Sequence, residues 1–381
     1  MPQEVQRLSP ATERAFKRVR MGDRYFRFLC LVLLGYALGG RGFAYWGVNP
    51  LFIGEITLLV GVYIILKTGG LKQTLGIRLL IPLMVFMFWG MCCTIPYLDT
   101  YQKDAIRDAV VWGYGTYAFI VATILLNEPT RLQKLVIYYR KFVVAFLLLA
   151  PISTTLCAFF QESLPAFPGS GVPIIQLKGG DMCVHIAGCF AYIVGLGGGL
   201  NPWFTSLMMP LNLALNVQGR AGMVAFATAV CVSMVLRPFH PRAMRIFFVI
   251  GVGLFFFWAS DLRIVTGARE ISFEFLTKAI NSVVKESDDE AMQGSKEWRM
   301  RWWTDIVNYT VHGRYFWMGK GFGINLATDD GYQVEEGESL RSPHNGHMTM
   351  LARPLARIHQ LGGAFYVLRR ILGGTDDQRG L

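Results

Sequence analysis

Three residues with a charged or titratable side chain lie within or beside apolar segments of the sequence. Arg220 separates two apolar runs in LALNVQGRAGMVAFATAV, Arg299 lies in the aromatic-rich KEWRMRWW, and His344 lies in RSPHNGHMTML. An arginine at a membrane normally has a partner or binds a functional anion, because an unpaired charge in hydrocarbon is costly. A histidine titrates near neutral pH and suits the removal of a proton from a hydroxyl group. The three residues therefore favour chemistry on an anionic substrate.

Helix geometry separates Arg299 from its neighbour Arg301. If residues 296–309 are helical, the face of Arg299 carries three apolar residues at offsets of three, four and seven, namely Trp302, Trp303 and Ile306. Arg301 instead has Glu297 four positions before it and Asp305 four positions after it, which is typical of a solvated face. Arg299 is therefore the better candidate to face the membrane and bind an anion.

Both arginines also have simpler explanations. Arg220 could be a snorkelling side chain at a helix end, and Arg299 could form a cation–π contact with a tryptophan. Two neighbours favour a ligand at Arg220, because Gly219 and Gly222 would let a bulky molecule approach the backbone.

The histidines leave similar alternatives. His344 could be an ordinary interfacial side chain, and His312, beside Gly313 and Arg314, is a weaker candidate in a predicted turn. His347 lies three residues after His344 on the same helical face, so a two-histidine metal site is conceivable. A third ligand is not apparent, and we expect no metal.

The composition is that of a multi-pass membrane protein. The chain has 381 residues, of which 53% are hydrophobic and 17% charged, a profile that argues against a soluble enzyme. A helix of roughly 20 residues crosses the hydrocarbon layer. Candidate spans lie at about 26–40, 50–66, 79–97, 107–126, 142–160, 182–200, 202–217, 221–236 and 246–260. The predicted class is all-α and polytopic, with about nine or ten transmembrane helices.

Basic residues predict the orientation of these spans. They cluster in the N-terminal tail and at 67–78, 131–141 and 237–245, and positively charged loops stay in the cytoplasm. The spans between successive clusters number two, two and four, so the N-terminus is predicted inside and residues 261–343 outside. The net charge of +11 is better explained by orientation and anionic membrane lipid than by nucleic acid.

This pattern predicts four regions. They are a basic cytoplasmic tail (1–25), a transmembrane helical domain (26–260), a periplasmic loop with a helical segment (261–343) and a further membrane helix that begins and then fails (344–381). After HNGHMTML, polar and helix-breaking residues from Arg353 onward interrupt the apolar run. We expect a truncated or frameshifted end from about residue 353; a divergent amphipathic helix lying on the membrane is the alternative. The seven cysteines lie in or beside predicted spans and favour neither disulfides nor a metal site.

Several short motifs occur in a characteristic order. They are Arg107–Asp108 at the start of a span, GRAG (219–222), R-x-x-x-W (Arg299 and Trp303), GKGFG (319–323) and His344–Asn345. The glycine-rich GKGFG does not follow a buried strand, so a tight, flexible outer turn is a better interpretation than a phosphate loop. Together, over about residues 100–350, these motifs resemble the O-antigen ligase and O-antigen polymerase superfamily.

The resemblance implies a function. Members are helical membrane glycosyltransferases that move a glycan from undecaprenyl diphosphate to an acceptor on the periplasmic face of the bacterial inner membrane. The resemblance implies that Arg220 and Arg299 neutralise the diphosphate, that His344 orients or deprotonates the acceptor hydroxyl, and that Asn345 holds the turn or a sugar. It implies no metal, nucleotide or other cofactor. The residues predicted to bind substrate are Arg220, Arg299, Arg301, Trp303 and Asn345.

Three other functions remain open. A ligase uses the lipid A core as acceptor, whereas a polymerase of O-antigen or exopolysaccharide uses another glycan repeat unit. A transporter of an anionic solute or lipid would explain Arg220 but would leave the outer loop without a role, and the chain lacks the two similar halves common in transporters. A membrane acyltransferase would rely on His185, which has no obvious partner in the sequence.

Overall fold

The computed structural model is largely helical and confirms the all-α, polytopic class. It describes residues 9–48, 51–168, 170–216, 220–260, 264–266, 269–271, 290–317, 319–333 and 340–353. Its described residues fall into two compact units. The first unit lies within residues 1–68 and 127–287, and the second lies within 69–126 and 288–381.

Helices and two short hairpins make up the first unit. Its helices are α1 (Pro10–Gly39), α2 (Arg41–Ala44), α3 (Ile53–Thr68), α8 (Thr130–Phe160), α9 (Gly179–Leu196), α10 (Pro202–Asn216), α11 (Arg220–Leu236) and α12 (Pro241–Ala259). Strands β1 (Gly47–Val48) and β2 (Leu51–Phe52) pair antiparallel, as do β3 (Ile264–Thr266) and β4 (Arg269–Ile271). The second unit contains α4 (Leu71–Leu75), α5 (Ile81–Thr94), α6 (Leu98–Gly113), α7 (Thr116–Asn127), α13 (Glu290–Val311), α14 (Leu326–Asp329) and α15 (Gly346–Ala352).

Within the described residues, four helical stretches are long and apolar enough to cross a membrane: Arg78–Gly113, Thr130–Phe160, Gly179–Leu196 and Pro241–Ala259. Two shorter apolar helices are Thr116–Asn127 and Gly222–Leu236. The predicted span 107–126 is divided between α6 and α7, because Tyr114 and Gly115 form a turn between them. This break leaves the charged residues of α6 outside the apolar helix α7.

The core of the first unit lies where α8, α9, α10 and α12 meet. Its fully buried side chains include Phe146, Phe190, Ile193, Met209 and Ile246. Buried polar groups add cross-links, because the Asn212 amide of α10 donates to the backbone carbonyl of Leu147 in α8 at 3.0 Å. Such interhelical hydrogen bonds satisfy polar groups that lipid could not.

Helices α9 and α10 are joined by a tight reversal. Gly199 has φ 83°, a left-handed conformation that glycine adopts without steric cost. The Arg140 guanidinium of α8 donates to the Gly199 carbonyl at 2.5 Å. The turn between α9 and α10 is thereby held by a side chain of α8.

An ion pair holds α1 against α8. Arg131 is only 2% exposed, and its Nε lies 2.8 Å from Asp23 Oδ1, while Lys134 Nζ contacts the other Asp23 oxygen at 2.9 Å. The helix surface at Gly22 accommodates this arginine, because a Cβ atom there would lie only 2.5 Å from Arg131 Nη2. A buried guanidinium needs such compensation to be tolerated.

The second unit has two packed clusters. In one, Trp302 and Ile306 of α13 pack with Leu326 and Ala327 of α14 and with Ala352 at the end of α15. The other joins Phe322 to Cys93 and Ala105, residues of α5 and α6. The segment between α13 and α15 is therefore packed on α6 through Phe322.

Candidate functional site

Helix α13 is anchored along one face. Trp302 and Ile306 are fully buried, and the Trp302 indole donates to Asp330 Oδ2 at 2.6 Å. The same indole stacks on Tyr332, with ring centroids 5.2 Å apart and planes 7° from parallel. The predicted helix over 296–309 is confirmed, and its fixed face determines where its other side chains lie.

The two arginines of α13 differ in their partners. Arg301 lies 3.5 Å from Glu297, the carboxylate predicted for it, and its side chain is 75% exposed. Asp305, the second predicted partner, accepts a hydrogen bond from the Tyr332 hydroxyl at 2.5 Å. Arg299 is exposed and makes no hydrogen bond or ion pair with any residue that the structure describes. The core stripe thus runs through Trp302 and Ile306, and Arg299 lies at its solvent-facing edge with an uncompensated charge.

Trp303 connects this helix to the segment before His344. Its indole nitrogen donates to the backbone carbonyl of Pro343 at 3.0 Å. The second unit therefore joins Trp303, which follows Arg299 by one helical turn, to the residue before His344, 40 positions further along the chain.

His344 has an unusual backbone. Its φ is 52°, in the left-handed region that non-glycine residues rarely adopt, and its side chain is exposed. Residues held in this region cluster at functional sites, where the surrounding structure enforces the conformation. At His344 the enforcing contacts are the Trp303 bond before it and the helix cap after it.

Asn345 provides that cap. Its side-chain oxygen accepts hydrogen bonds from the backbone N–H groups of His347 and Met348, at 2.9 and 3.3 Å. This is the N-cap arrangement that satisfies the free donors at the start of a helix. Of the two roles inferred for Asn345, the geometry corresponds to holding the turn.

The GKGFG segment is a packed loop and not a flexible turn. Gly319, Gly321 and Gly323 all have positive φ values, between 54° and 95°, and all three are buried. A Cβ atom at Gly321 would overlap the Tyr97 ring, and one at Gly323 would overlap Tyr101. The interpretation failed because glycines permit close packing against a neighbour as well as free movement.

Lys320, in the middle of this loop, is already neutralised. Its ammonium group contacts Asp329 and Asp330 and lies 4.5 Å from the centroid of the Tyr309 ring. Burial alone would lower the pKa of Lys320, but the two aspartates outweigh it and hold the pKa above its ordinary value. A lysine paired in this way is not positioned to bind a phosphate.

Asp108 is the centre of an ion-pair network that joins α6 to the loop. It accepts a hydrogen bond from the Gly323 N–H at 2.9 Å and lies 2.8 Å from Arg353 Nη2. Arg353 is 3% exposed and also donates to the carbonyls of Gly321 and Ile324, at 2.9 and 3.3 Å. Arg353 does end α15, as its place in the sequence predicted, but it is an integral part of the fold. Residues 354–381 lie outside the described residues.

Arg341 extends the network toward His344. Its Nη2 donates to the Gly323 carbonyl at 2.8 Å, and its Nη1 lies 3.5 Å from Asp104. Its Nε is buried and has no hydrogen-bond partner in the described part of the chain. With Arg107, which pairs with Asp104 and Asp108, the network holds three arginines and two aspartates, an excess of one positive charge.

Sequence reasoning missed the roles of Arg341 and Arg353. One signal was present, because Asp108 belongs to a quoted motif and a carboxylate in an apolar region needs a cationic partner. The partner could not be named, because it lies more than 200 positions away along the chain.

Arg220 is the first residue of α11, in the first unit. Its side chain and the preceding Gly219 lie outside the described residues. Gly222 does not provide room for a ligand, since a Cβ atom there would lie 2.6 Å from the carbonyl oxygen of Gly180 in α9. The glycine instead permits close approach of two helices, which is common in membrane proteins.

Long apolar helices define a multi-pass membrane protein. Its second unit carries a candidate site, with His344 at positive φ and Arg299 without an ion-pair partner among the described residues. Residues 204–353 match the family model described as O-antigen ligase. This region includes Arg220, Arg299 and His344, and the match confirms the resemblance to the O-antigen ligase superfamily. Searches of curated proteins and of solved structures found no match.

Proposed function

We propose that the protein is a lipid-linked glycan transferase. It moves an oligosaccharide or polysaccharide from undecaprenyl diphosphate to the lipid A core on the periplasmic face of the inner membrane. The observation that carries the proposal is the family match over 204–353, a region that includes Arg220, Arg299 and His344. No cofactor is required, since arginines supply the positive charge that a metal would otherwise provide.

In the proposed reaction, an acceptor hydroxyl oxygen attacks the anomeric carbon of the donor sugar. The bond between that carbon and the diphosphate oxygen breaks, and undecaprenyl diphosphate leaves with the bonding electrons. Arg220 and Arg299 stabilise the negative charge that develops on the diphosphate. The proton of the acceptor hydroxyl passes to the His344 imidazole.

Two features support this assignment of roles. Arg299 has no carboxylate partner among the described residues, so its charge is free to bind an anion, whereas Arg301 is paired with Glu297. His344 is exposed and held by contacts on both sides, which favours a fixed orientation toward an acceptor. Positioning of this kind supplies much of the catalytic advantage when the donor is already activated.

The test measures glycan transfer by the full chain reconstituted in lipid nanodiscs, with a purified undecaprenyl diphosphate-linked glycan, lipid A core and EDTA. Arg220→Ala, Arg299→Ala and His344→Ala are each expected to lower the transfer rate by about 10²-fold or more. Arg301→Ala should lower it less than tenfold, about the scale of an exposed ion pair. His347→Ala is the histidine control, because His347 is also exposed but has no role in the proposed reaction.

The outcomes separate the candidate functions. Transfer that survives all three alanine substitutions would refute the site assignment. Transfer to a second glycan repeat unit, but not to lipid A core, would identify a polymerase. Movement of an anionic solute or lipid across the bilayer, without transfer to any acceptor, would identify a transporter.

A further inference from the structure

A cavity lined by basic residues lies in the first unit. It has a volume of about 460 Å³ and opens between the end of α9, the start of α10 and the segment that joins α11 to α12. Its lining residues include Gly197, Arg237, His240, Arg242 and Arg245. The basic residues come from one short segment, and the cavity is shaped by the glycine-rich reversal that this segment packs against.

Among the described residues, no carboxylate neutralises the positive charge of this cavity. No acidic residue lines it, and none of its three arginines forms an ion pair with a carboxylate in the part of the chain that is described. Within the described part of the chain, the hydrogen bonds of these side chains go to backbone carbonyls at the end of α9. Arg237 Nη1 donates to Val194 at 3.3 Å and Arg242 Nη1 to Ile193 at 3.5 Å. Helix-end carbonyls carry only a partial negative charge.

The local geometry keeps the arginines in the cavity. A Cβ atom at Gly197 would overlap Arg242 Nη1, so glycine is needed for the guanidinium to lie over the helix end. His240 caps α12 by accepting, at its Nδ1, the backbone N–H of Arg242 at 3.4 Å. Partial burial and then the nearby charges of Arg237 and Arg242 lower the pKa of His240, which is consistent with an uncompensated positive potential.

We define the rim of the cavity as the exposed apolar residues that directly adjoin its lining residues in the sequence. Phe239 is 80% exposed and has φ 54°, a strained conformation for an aromatic residue, and Leu236 is 74% exposed. Trp203, at the start of α10, is 76% exposed. Aromatic side chains of this kind occupy the interface between membrane and water, so the rim is suited to the depth of the lipid headgroups.

We propose that this cavity binds the phosphate group of an anionic membrane lipid. Phosphate is the chemistry that three converging, unpaired arginines suit, and the exposed rim favours a lipid over a soluble anion. The distribution of basic residues places 237–245 on the cytoplasmic side, where anionic lipids attract basic pockets between helices. The proposal does not rest on the proposed glycan transfer.

The experiment measures lipid retained by the full chain after extraction from vesicles of phosphatidylcholine with added phosphatidylglycerol or cardiolipin, by native mass spectrometry. The test variant is Arg237→Gln/Arg242→Gln/Arg245→Gln. The matched control, Lys67→Gln/Lys72→Gln/Arg78→Gln, removes three charges from another predicted cytoplasmic loop. We expect retention of anionic lipid over phosphatidylcholine to fall more than tenfold in the test variant, since each arginine contributes about fivefold, and by less than threefold in the control.

A second variant distinguishes loss of lipid binding from loss of folding. Arg237 and Arg242 also hold the end of α9, whereas no hydrogen bond of Arg245 is seen among the described residues. Arg245→Gln alone should therefore keep the wild-type melting temperature and lose about fivefold in anionic-lipid retention. Equal losses in the test and control triples, or unchanged retention in Arg245→Gln, would overturn the proposal.

A separate arm distinguishes the two sources of phosphate. Inorganic phosphate and glycerol 3-phosphate are added at millimolar concentration to protein in phosphatidylcholine alone. We expect neither to raise the melting temperature, because the apolar rim contributes only when acyl chains are attached. Stabilisation by free phosphate, absent in the test triple and unaccompanied by a preference for anionic lipid, would overturn the lipid assignment.

Discussion

Each unit of the molecule contains a buried arginine that lies 2.8 Å from an aspartate. In the first unit Arg131 pairs with Asp23, and in the second Arg353 pairs with Asp108. The arginines are 2% and 3% exposed, so both pairs face the same problem of keeping a guanidinium away from water. Their surroundings differ.

The first pair joins two regular helices. Arg131 also donates to the carbonyl of Val19 in α1, and Lys134 is a second cation for Asp23. The second pair joins a helix to a loop, because Asp108 accepts the Gly323 N–H and Arg353 donates to the carbonyl of Gly321. The same chemistry therefore fixes a helix crossing in one unit and the path of irregular backbone beside His344 in the other.

This comparison predicts that breaking the second pair affects function as well as stability. Asp108→Ala leaves Arg353 buried without its carboxylate, which should lower the free energy of unfolding by about 3–5 kcal/mol. Glycan transfer per folded molecule should fall about 10²-fold, because a small displacement of catalytic groups has effects of that size. Melting temperature and transfer rate in nanodiscs measure the two quantities.

Asp23→Ala is the matched control. It should destabilise the protein by about 3 kcal/mol while transfer per folded molecule stays within about threefold of wild type, since it disturbs a helix crossing. If the two variants lost transfer activity equally, the distinction between the pairs would be wrong.

The next prediction concerns the GKGFG loop, which the Arg353–Asp108 pair holds in place. Gly321→Ala should destabilise by about 2–4 kcal/mol, because it adds backbone strain and a clash with Tyr97. Gly331→Ala is the control, since Gly331 also has positive φ but has open space around it; its expected cost is about 1 kcal/mol. Urea titration or thermal melting distinguishes the two, and equal losses would show that strain alone matters.

A milder change separates charge from hydrogen bonding at Asp108. Asp108→Asn still presents an oxygen to the Gly323 N–H but removes the negative charge beside Arg353. We expect a loss of about 1–3 kcal/mol, less than for Asp108→Ala. Hydrogen exchange at 321–324 should remain closer to wild type than in Asp108→Ala, and the reverse order would contradict the assigned role of the carboxylate.

The smallest effect is a pH dependence of the first pair. Burial raises the pKa of Asp23, but the hydrogen bonds and charges of Arg131 and Lys134 outweigh it and lower the pKa below its ordinary value. A depressed folded-state pKa contributes stability above the unfolded value, about 3.9, and loses it as pH falls through the folded value. The difference in melting temperature between wild type and Asp23→Asn should be constant from pH 7 to about 5 and shrink below about pH 4. A difference that grew on acidification would contradict this sign.

Local sequence patterns were sufficient to predict several of the helices. Hydrophobic runs predicted the positions of α8 to α12, and the three-to-four spacing around Arg299 predicted α13 and the Arg301–Glu297 pair. Those features depend on residues within two helical turns of each other. The partners of Asp108 could not be predicted, because Arg341 and Arg353 reach it only after the chain has folded back.

The glycines show the same limit of prediction from local sequence. From the sequence alone, Gly222 indicated space for a ligand and GKGFG indicated a flexible turn. In the structure, the carbonyl of Gly180 in a neighbouring helix lies close to Gly222, and the Tyr97 ring lies close to Gly321. Absence of a side chain predicts close approach, whereas the identity of the neighbour depends on tertiary packing.

Because the backbone at His344 is left-handed, the substitution that would relieve strain at this position would also remove the proposed catalytic side chain. Glycine adopts φ 52° freely and histidine does not, so His344→Gly should relieve about 1 kcal/mol of strain, offset in part by the flexibility that glycine adds to the unfolded chain. The same substitution removes the imidazole on which transfer is proposed to depend. Selection of this chain for thermal stability alone would therefore favour a variant that folds well but has lost the proposed glycan transfer.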